Sequence, residues 1–153
     1  MNAINNHTPF QNFPDTSRVW VYALREQPSD EILQRLEDEI SAQVAEWKSH
    51  GHPVQGAASI LHKRFIVVAA NIDASEVSGC GIDSMRNALS RICGRSGYSF
   101  DLGDLVFFGE LDSIEAASRE AFAELCRTGK IAKESPVFDT SLSSLSELRA
   151  TGL

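Results

Sequence analysis

The strongest constraint on the fold of this chain is a nearly continuous apolar run at residues 64–72, RFIVVAANI. The run lacks the alternation of apolar and polar residues that marks a strand with one solvated face. A shorter run of the same kind, RVWVYAL, occupies residues 18–24. Because a strand that is apolar on both faces needs cover on both sides, we predict that these two runs are interior strands of a sheet.

The rest of the chain places helices and weaker strands around these two runs. Apolar residues at every third or fourth position predict a long helix that begins after Ser29 and ends just before Gly51. A second amphipathic stretch predicts a helix over residues 83–93, stopped by Gly94 and Gly97. The remaining predicted elements are a strand at 54–62 joined to the central run by a tight turn at Lys63, a short strand at 105–108, a third helix from Asp112 or Ser113 to Gly129, an extended piece at 136–138 and a last helix around Leu142, Leu145 and Leu148.

This order of elements predicts the α+β class and a ferredoxin-like βαββαβ sandwich with an additional C-terminal helix and an extended tail. In that fold the first and third strands are central, which agrees with the two runs that lack alternation. Two helices cover only one face of such a sheet, so another part of the molecule has to cover the second face. We expect the C-terminal tail to do so, and the alternatives are the third helix, the N-terminal arm or a second copy of the chain in a homodimer.

The same pattern divides the 153 residues into three parts. Residues 1–16 are predicted to be a polar N-terminal arm, and residues 17–129 a single α+β domain. Residues 130–153 are predicted to be a tail that packs on this domain. The length is that of one ordinary domain.

Composition excludes several classes of protein. The formal net charge is −7 and no basic patch is visible, so we expect no nucleic-acid partner. No apolar run approaches the roughly 18 residues of a membrane span, and the N-terminus has no signal-peptide pattern. We therefore expect no membrane insertion and a soluble, cytoplasmic protein of bacterial type.

The three cysteines and the missing motifs narrow the chemistry further. An odd number of widely spaced cysteines without a CxxC pair argues against a disulfide framework and a zinc knuckle. Cys93 and Cys126 fall on the apolar stripes of predicted helices and are expected in the core. Phosphate-loop, dinucleotide-binding and nucleophile-elbow motifs are missing as well, so we expect no cofactor.

The predicted topology brings two segments of chemical interest to one edge of the sheet. One is the His50-Gly51-His52 turn after the first helix, and the other is the glycine-rich segment 78–84 before the second helix. In a ferredoxin-like connectivity both segments lie at the same edge. Arg18, at the start of the first strand, and Glu110, after the fourth, are expected there too.

Cys80 is the candidate nucleophile of this edge. It lies between glycines just ahead of a predicted helix, where free backbone N–H groups and the helix dipole stabilise a thiolate. His50 or His52 would then act as its base. The alternative is structural: Cys80 fills a small gap in a strained glycine turn, and Asp83 or Ser84 caps the helix.

The glycine-rich segment is also a candidate binding site. Backbone N–H groups at a helix start can hold a small anion, and the predicted ligand contacts are Gly79, Cys80, Gly81, Asp83 and Ser84. A metal site that uses His50 and His52 is an alternative. Because a His-x-His pair alone is a weak metal signal, we expect no metal there.

Five segments carry a resemblance: V-W-V-Y at 19–22, W-K-S-H-G at 47–51, R-F-I-V at 64–67, S-G-C-G-I-D-S at 78–84 and P-V-F-D at 136–139. In these segments the chain resembles a family of small uncharacterised bacterial proteins of the Bacteroidetes and Chlorobi lineages, with SGCxIDS as the most specific motif. The resemblance covers most of residues 18–148 and implies a shared fold and a shared site at 80–84. Some members are labelled "ABC transporter ATPase", but this chain lacks the glycines and lysine of a Walker A loop.

These features predict a binding or interaction module without catalytic activity, because no complete catalytic set is present. The alternative is a cysteine-dependent enzyme or redox protein that uses Cys80 at a helix N-terminus. The sequence leaves open whether the chain is an enzyme. Its partner under the first prediction is a homodimer copy, another protein or a small ligand.

Overall fold

The computed structural model describes residues 10–74, 76–132 and 134–153. Within these ranges the chain has a mixed α+β architecture with four helices and small antiparallel sheets, which confirms the predicted class. Its elements in chain order are β1 (Arg18–Ala23), α1 (Asp30–Ala45), β2 (Lys48–Ser49), β3 (His52–Pro53), β4 (Gly56–Leu61), β5 (Phe65–Ala70), α2 (Gly79–Arg95), β6 (Leu105–Phe108), β7 (Glu115–Ser118), α3 (Arg119–Arg127) and α4 (Leu145–Thr151).

The main sheet has three antiparallel strands in the order β1–β5–β4. The central strand is β5, and all six of its residues are buried, as its unbroken apolar run predicts. A turn with His62 and Lys63 at positive φ joins β4 to β5, and Leu61 pairs with Phe65 across it. The predicted tight hairpin is therefore confirmed, and so is the interior position of the longer run.

The outer edge of β1 is where the structure departs from the predicted topology. The strand predicted at Leu105–Phe108 forms as β6, but it pairs with β7 in a separate two-stranded sheet. Directly after α2 the chain meets the end of β1, where Leu24 and Phe100 form a bridge and the Asp101 N–H donates to the backbone oxygen of Ala23 at 2.7 Å. It then turns away, because the Asp101 carboxylate accepts two backbone N–H groups of the following loop. The predicted placement of β6 at the edge of the main sheet is therefore wrong, and so is the predicted central position of β1, which is an edge strand of the three-stranded sheet.

The main sheet is covered on both faces. On one face α1 and α2 enclose a cluster that includes Leu36, Ile40 and Leu89. On the other face, sheet residues pack against Phe10 and the C-terminal leucines. The buried members of this second cluster are Phe10, Val19, Leu61, Val67, Ala69, Leu142, Leu145 and Leu148. The apolar surface that suggested a homodimer is thus buried within one chain.

The N-terminal arm and α4 hold each other in place. Arg149 of α4 donates hydrogen bonds to the backbone oxygens of Phe10 and Phe13, both at 2.8 Å, and pairs with Asp15. Phe10 is fully buried, so this part of the predicted polar arm contributes to the core. Residues 1–9 of the arm lie outside the described part of the chain.

α1 is shorter than predicted. Ser29 caps its start as predicted, but the helix ends at Ala45 instead of near Gly51. Trp47 turns into the core with 5% exposure, and the chain leaves the helix axis to form the small β2–β3 hairpin. His50 and Gly51 form the turn of this hairpin. The predicted position of His50 at a helix end is therefore wrong.

α2 starts earlier than predicted, at Gly79 instead of Asp83. Ser78 is its cap, because the Ser78 hydroxyl accepts the N–H of Gly81 at 3.0 Å. Capping by Asp83 or Ser84 is therefore wrong. The glycines that flank Cys80 belong to the first helical turn and make no positive-φ turn.

The buried face and the end of α2 agree with the sequence pattern. Cys93 is fully buried, as predicted, and burial raises the pKa of its thiol to about 11. The helix ends at Arg95 with Ser96 as its cap, and the φ of 84° at Gly97 suits the residue that follows a helix cap. Gly94 lies inside the helix and does not stop it.

The segment predicted as the start of the third helix forms β7, and α3 follows it. Glu115–Ser118 pair with β6, so only nine residues remain for α3, which Ser118 caps. None of the residues of α3 is buried. Cys126 is exposed, and its predicted place in the core is wrong because α3 lies on the outside of a two-stranded sheet.

A buried arginine holds the β6–β7 sheet against the main sheet. Arg64 is 6% exposed and donates to the backbone oxygens of Leu24 at 3.0 Å and Ile114 at 2.8 Å, and to that of Arg25. Its guanidinium also lies 5.3 Å from the ring centre of Phe107. Three carbonyl oxygens and an aromatic ring thus replace the water that a buried cation loses. The burial lowers the pKa of Arg64.

This packing decides where Glu110 lies. Phe107 and Ile114, on either side of it in sequence, pack with Ala23 and Phe65. Those two residues pair at the end of the main sheet opposite Arg18 and Ala70. Glu110 therefore lies at the far end of the sheet, and its predicted placement beside the glycine-rich segment is wrong.

Candidate functional site

The His50–Gly51 turn is the most strained part of the edge predicted to carry the site. His50 has φ 53° and Gly51 has φ 78°, and Ser49 pairs with His52 across the turn. Two successive residues at positive φ are typical of a type I′ hairpin turn, which favours Asn-Gly. Glycine accepts this conformation freely, whereas a histidine adopts it at some cost. The conformation of the turn therefore does not explain why residue 50 is a histidine.

The hairpin is fixed to the start of α2 through two serines. Ser49 is buried, and its hydroxyl accepts the backbone N–H of Ser78 at 3.0 Å. The hydroxyls of Ser49 and Ser78 lie 3.0 Å apart and share a hydrogen bond. The Trp47 ring N–H donates to the backbone oxygen of Gly81 at 3.1 Å. These contacts confirm that the turn and the glycine-rich segment are neighbours.

The close approach explains one glycine of the segment. A Cβ on Gly81 would lie 3.0 Å from the Ser49 Oγ and 3.2 Å from the Ser49 Cβ. A Cβ on Gly79 would meet nothing within 4 Å. Gly81 thus allows the hairpin to contact α2, whereas Gly79 has no such packing role.

A shallow cavity of about 290 Å³ lies beside the turn. Arg18, at the start of β1, lies at this edge as predicted and lines the cavity, and its guanidinium lies 4.9 Å from the ring centre of Trp20. This ring in turn meets Trp47 edge to face at 5.8 Å. The cationic wall is therefore supported by aromatic packing that reaches the core. The cavity is lined by Arg18, His50, Ile72, Glu76, Val77 and Ser78.

Cys80 lies in the first turn of α2 and is exposed. The structural alternative for Cys80 is therefore wrong, because its side chain fills no gap and the flanking glycines form no strained turn. Within the described chain, no hydrogen bond or ion pair joins Cys80 to His50 or His52. His52 is exposed in β3 and does not line the cavity.

Asp83 and Ser84 are exposed on the next turn of α2. The negative charge of Asp83 adds to the rise in the pKa of Tyr22, which burial dominates and Arg86 opposes. Asp83 therefore lies close enough to Tyr22 of β1 to act on its charge, and it does not line the cavity. Among the residues described, no three His, Cys, Asp or Glu side chains gather to hold a metal ion.

Sequence reasoning missed Ser49, Glu76 and Val77. A signal for Ser49 exists: a small polar residue next to a His-Gly turn is suited to contact a glycine-flanked helix start. Glu76 and Val77 lie in an irregular segment, and no sequence pattern distinguishes them.

Comparison with known proteins adds no relationship: no protein-family model, no curated protein and no solved structure matches this chain. None of the helices in the described ranges is both long and apolar enough to cross a membrane.

Proposed function

We propose that this protein is a binding module without catalytic activity of its own, and that its ligand site is the cavity beside the His50–Gly51 turn. The observation that carries the proposal is the conformation of His50, which lies at positive φ on the rim of that cavity. Residues in sparsely populated conformations cluster at ligand sites, where the surrounding structure holds them. Here the contacts of Ser49 and Ser78 do so.

The lining favours a small ligand that carries both signs of charge. Arg18 offers a cation to an acidic group, and Glu76 offers a carboxylate to a basic group. Ile72 and Val77 supply apolar surface between them. The free end of a peptide or a small amino acid has this combination of groups.

The ligand contacts predicted in the glycine-rich segment divide into two roles in this proposal. Gly79 and Cys80 are exposed in the first turn of α2, next to the cap Ser78 that lines the cavity. The N–H of Gly81 is already taken by Ser78, so Gly81 positions the hairpin instead of contacting the ligand. Asp83 and Ser84 lie one turn further on.

A titration with glycylglycine tests this function. We expect amide shifts in the NMR spectrum at Arg18, His50 and Ser78, and a loss of at least tenfold in affinity for Arg18→Gln. Arg35→Gln is the matched control, because Arg35 is an exposed arginine of α1 that contacts Ser96. The capped analogue N-acetylglycinamide, which has neither charge, should not shift these amides. Equal binding of both probes would contradict the proposal.

The second candidate function is a cysteine-dependent enzyme or redox protein that uses Cys80. Its support is an exposed thiol in the first turn of a 17-residue helix. His50 or His52 would have to approach during the reaction to act as a base.

Alkylation of the native protein with iodoacetamide at pH 7 separates the two functions, because the chain contains an internal reference. Cys126 is also exposed, but it lies in the last turn of α3, where the dipole has the opposite sign. A Cys80 rate at least tenfold above the Cys126 rate, lost in His50→Ala, would support the enzyme. Equal rates would support the binding module. Cys93 should react only after unfolding.

We also infer a ferredoxin-like origin for the β1–α1–β4–β5–α2 unit. Its support is the strand order β1–β5–β4, which is the first-third-second order of that fold. The membership in the SGCxIDS family, the cytoplasmic location and the homodimer stay predictions from the sequence. Light scattering after size exclusion tests the homodimer, and a mass of 16.8 kDa would contradict it.

A further inference from the structure

A second cavity lies at the other end of β1, away from the His50–Gly51 turn. Its volume is about 430 Å³, within the range of small-molecule sites. One wall is the middle of α2, and the other is the segment that follows α2. The lining residues are Arg25, Arg86, Asn87, Ser90, Ser99, Phe100 and Leu102. None of them lines the cavity of the proposed function.

The apolar part of this cavity is buried at Phe100 and exposed at Leu102. Phe100 is 9% exposed and its ring stacks on Tyr22, with ring centres 5.2 Å apart. Leu102 is 77% exposed, the highest exposure among the large apolar side chains described. A buried ring and an exposed leucine thus bracket a space that a flat apolar group would fill.

The two arginines of the lining differ in their partners. Arg25 lies 3.0 Å from one carboxylate oxygen of Asp104, its second nitrogen lies 3.3 Å from the other, and Asp101 is 3.7 Å away. The Arg25 guanidinium lowers the pKa of Asp104 to about 2. The Arg86 side chain, by contrast, has no ion pair or hydrogen bond with any other residue of the described chain. It is therefore the cation that remains for a ligand.

Polar side chains next to Arg86 have unused hydrogen-bonding groups. Asn87 and Ser90 line the cavity from α2, and Ser99 lines it from the segment that follows α2. In the part of the chain that the structure describes, none of these three side chains has a hydrogen-bond partner. A guanidinium group can only donate hydrogen bonds, and the neighbouring amide and hydroxyl groups can also donate them. The wall is therefore suited to a group with several acceptor oxygens.

We propose that this cavity binds a small aromatic carboxylate. The carboxylate pairs with Arg86 and accepts hydrogen bonds from Asn87 or Ser90, and the ring lies between Phe100 and Leu102. A planar guanidinium matches a carboxylate in a two-pronged contact, which selects it over a single-atom anion. This site does not depend on the glycylglycine site of the proposed function.

Benzoate is the probe for this inference, again with amide shifts as the readout. We expect saturable shifts at residues 86–90 and 99–102. Benzyl alcohol keeps the ring without the charge, and acetate keeps the charge without the ring, so both should bind at least tenfold more weakly. Acetate binding as tightly as benzoate, or an absence of saturable shifts, would overturn the proposal.

Three variants locate the binding. Arg86→Gln should weaken benzoate at least tenfold, whereas Arg91→Gln, on α2 but in the groove next to Glu39 and Glu46, should leave it unchanged. Asp104→Asn removes the main partner of Arg25 and should tighten binding several-fold. Equal losses for the Arg86 and Arg91 variants would overturn the site. Arg18→Gln should leave benzoate binding intact, which separates this result from the proposed function.

Discussion

The two ends of the main sheet are held by different kinds of polar contact. At the Arg18 end, neutral serine hydroxyls fix a strained hairpin to a helix start, and a cavity remains beside it. At the Phe65 end, the buried cation Arg64 binds three carbonyl oxygens of other segments. A net hydrogen bond between neutral groups contributes about 1 kcal/mol, whereas each hydrogen bond to a charged group contributes about 1.5–3 kcal/mol. Single substitutions at the Arg18 end can therefore probe binding without unfolding the chain.

The largest effect is expected at Arg64. Arg64→Met should lower the free energy of unfolding by about 3–5 kcal/mol, because it leaves two buried carbonyl oxygens and one partly buried carbonyl oxygen without their donor. Urea denaturation measures the change. Arg91→Met, on the exposed face of α2, should stay within about 0.5 kcal/mol of the parent. An Arg64→Met protein as stable as the Arg91→Met protein would remove the contrast between the two ends.

A smaller loss is expected at the cap of α2. Ser78→Ala removes a helix cap, worth about 1 kcal/mol, and also the hydroxyl contact with buried Ser49. Ser118→Ala removes only a cap, at the exposed start of α3. We expect the Ser78 variant to lose about 0.5–1 kcal/mol more than the Ser118 variant in chemical denaturation. Identical losses would mean that the serine contact contributes nothing.

The two glycines beside Cys80 should respond in opposite directions. Gly81→Ala places a Cβ against Ser49 and should destabilise the protein by about 1 kcal/mol, because overpacking outweighs the better helix propensity of alanine. Gly79→Ala has open space and should stabilise it by up to about 1 kcal/mol. Thermal unfolding of both variants checks the sign. A stabilised Gly81→Ala protein would show that the hairpin and α2 separate easily.

The smallest effects compare two histidines at positive φ, one at each end. His50→Gly should stabilise the protein by about 0.5–1 kcal/mol, because glycine adopts the turn without strain. His62→Gly removes a ring that contacts Phe65 and Phe138, so the gain should be cancelled or reversed. The His50 variant should also lose glycylglycine binding. A His50→Gly protein that is less stable than its parent would contradict the strain argument.

Local sequence patterns were enough to predict the elements that depend on residues close to them in sequence. The apolar run of β5, the stripe of α1 and the hairpin at His62 and Lys63 all follow from periodicity and turn chemistry. Their burial needs no information about distant segments. The boundaries of α1 and α2 were predicted less well. Trp47, after α1, and Ser78, before α2, are held in place by contacts between the chain around the β2–β3 hairpin and the start of α2. The sequence near either residue alone does not encode these contacts.

The candidate site was predicted only in outline. The order of the elements was enough to predict that the His50 turn lies next to the glycine-rich segment, because a short connection and a helix start can occupy few positions at the edge of the sheet. The lining of the cavity was not predictable, since Glu76 and Val77 reach it from an irregular segment. The exposure of Cys80 could not be predicted, because moving the start of a helix by one residue changes whether a side chain faces a gap or the solvent.

The sequence alone determined that two apolar runs would form strands under cover, with amphipathic helices beside them, because hydrophobic burial follows local periodicity. Only the tertiary structure decided what lies next to the outer edge of β1. A loop held by the Asp101 carboxylate sends the chain away from that edge, and the buried Arg64 draws β6 and β7 to the far end of the sheet. The Arg64 hydrogen bonds join segments about 40–50 residues apart, and no local pattern records contacts at that separation.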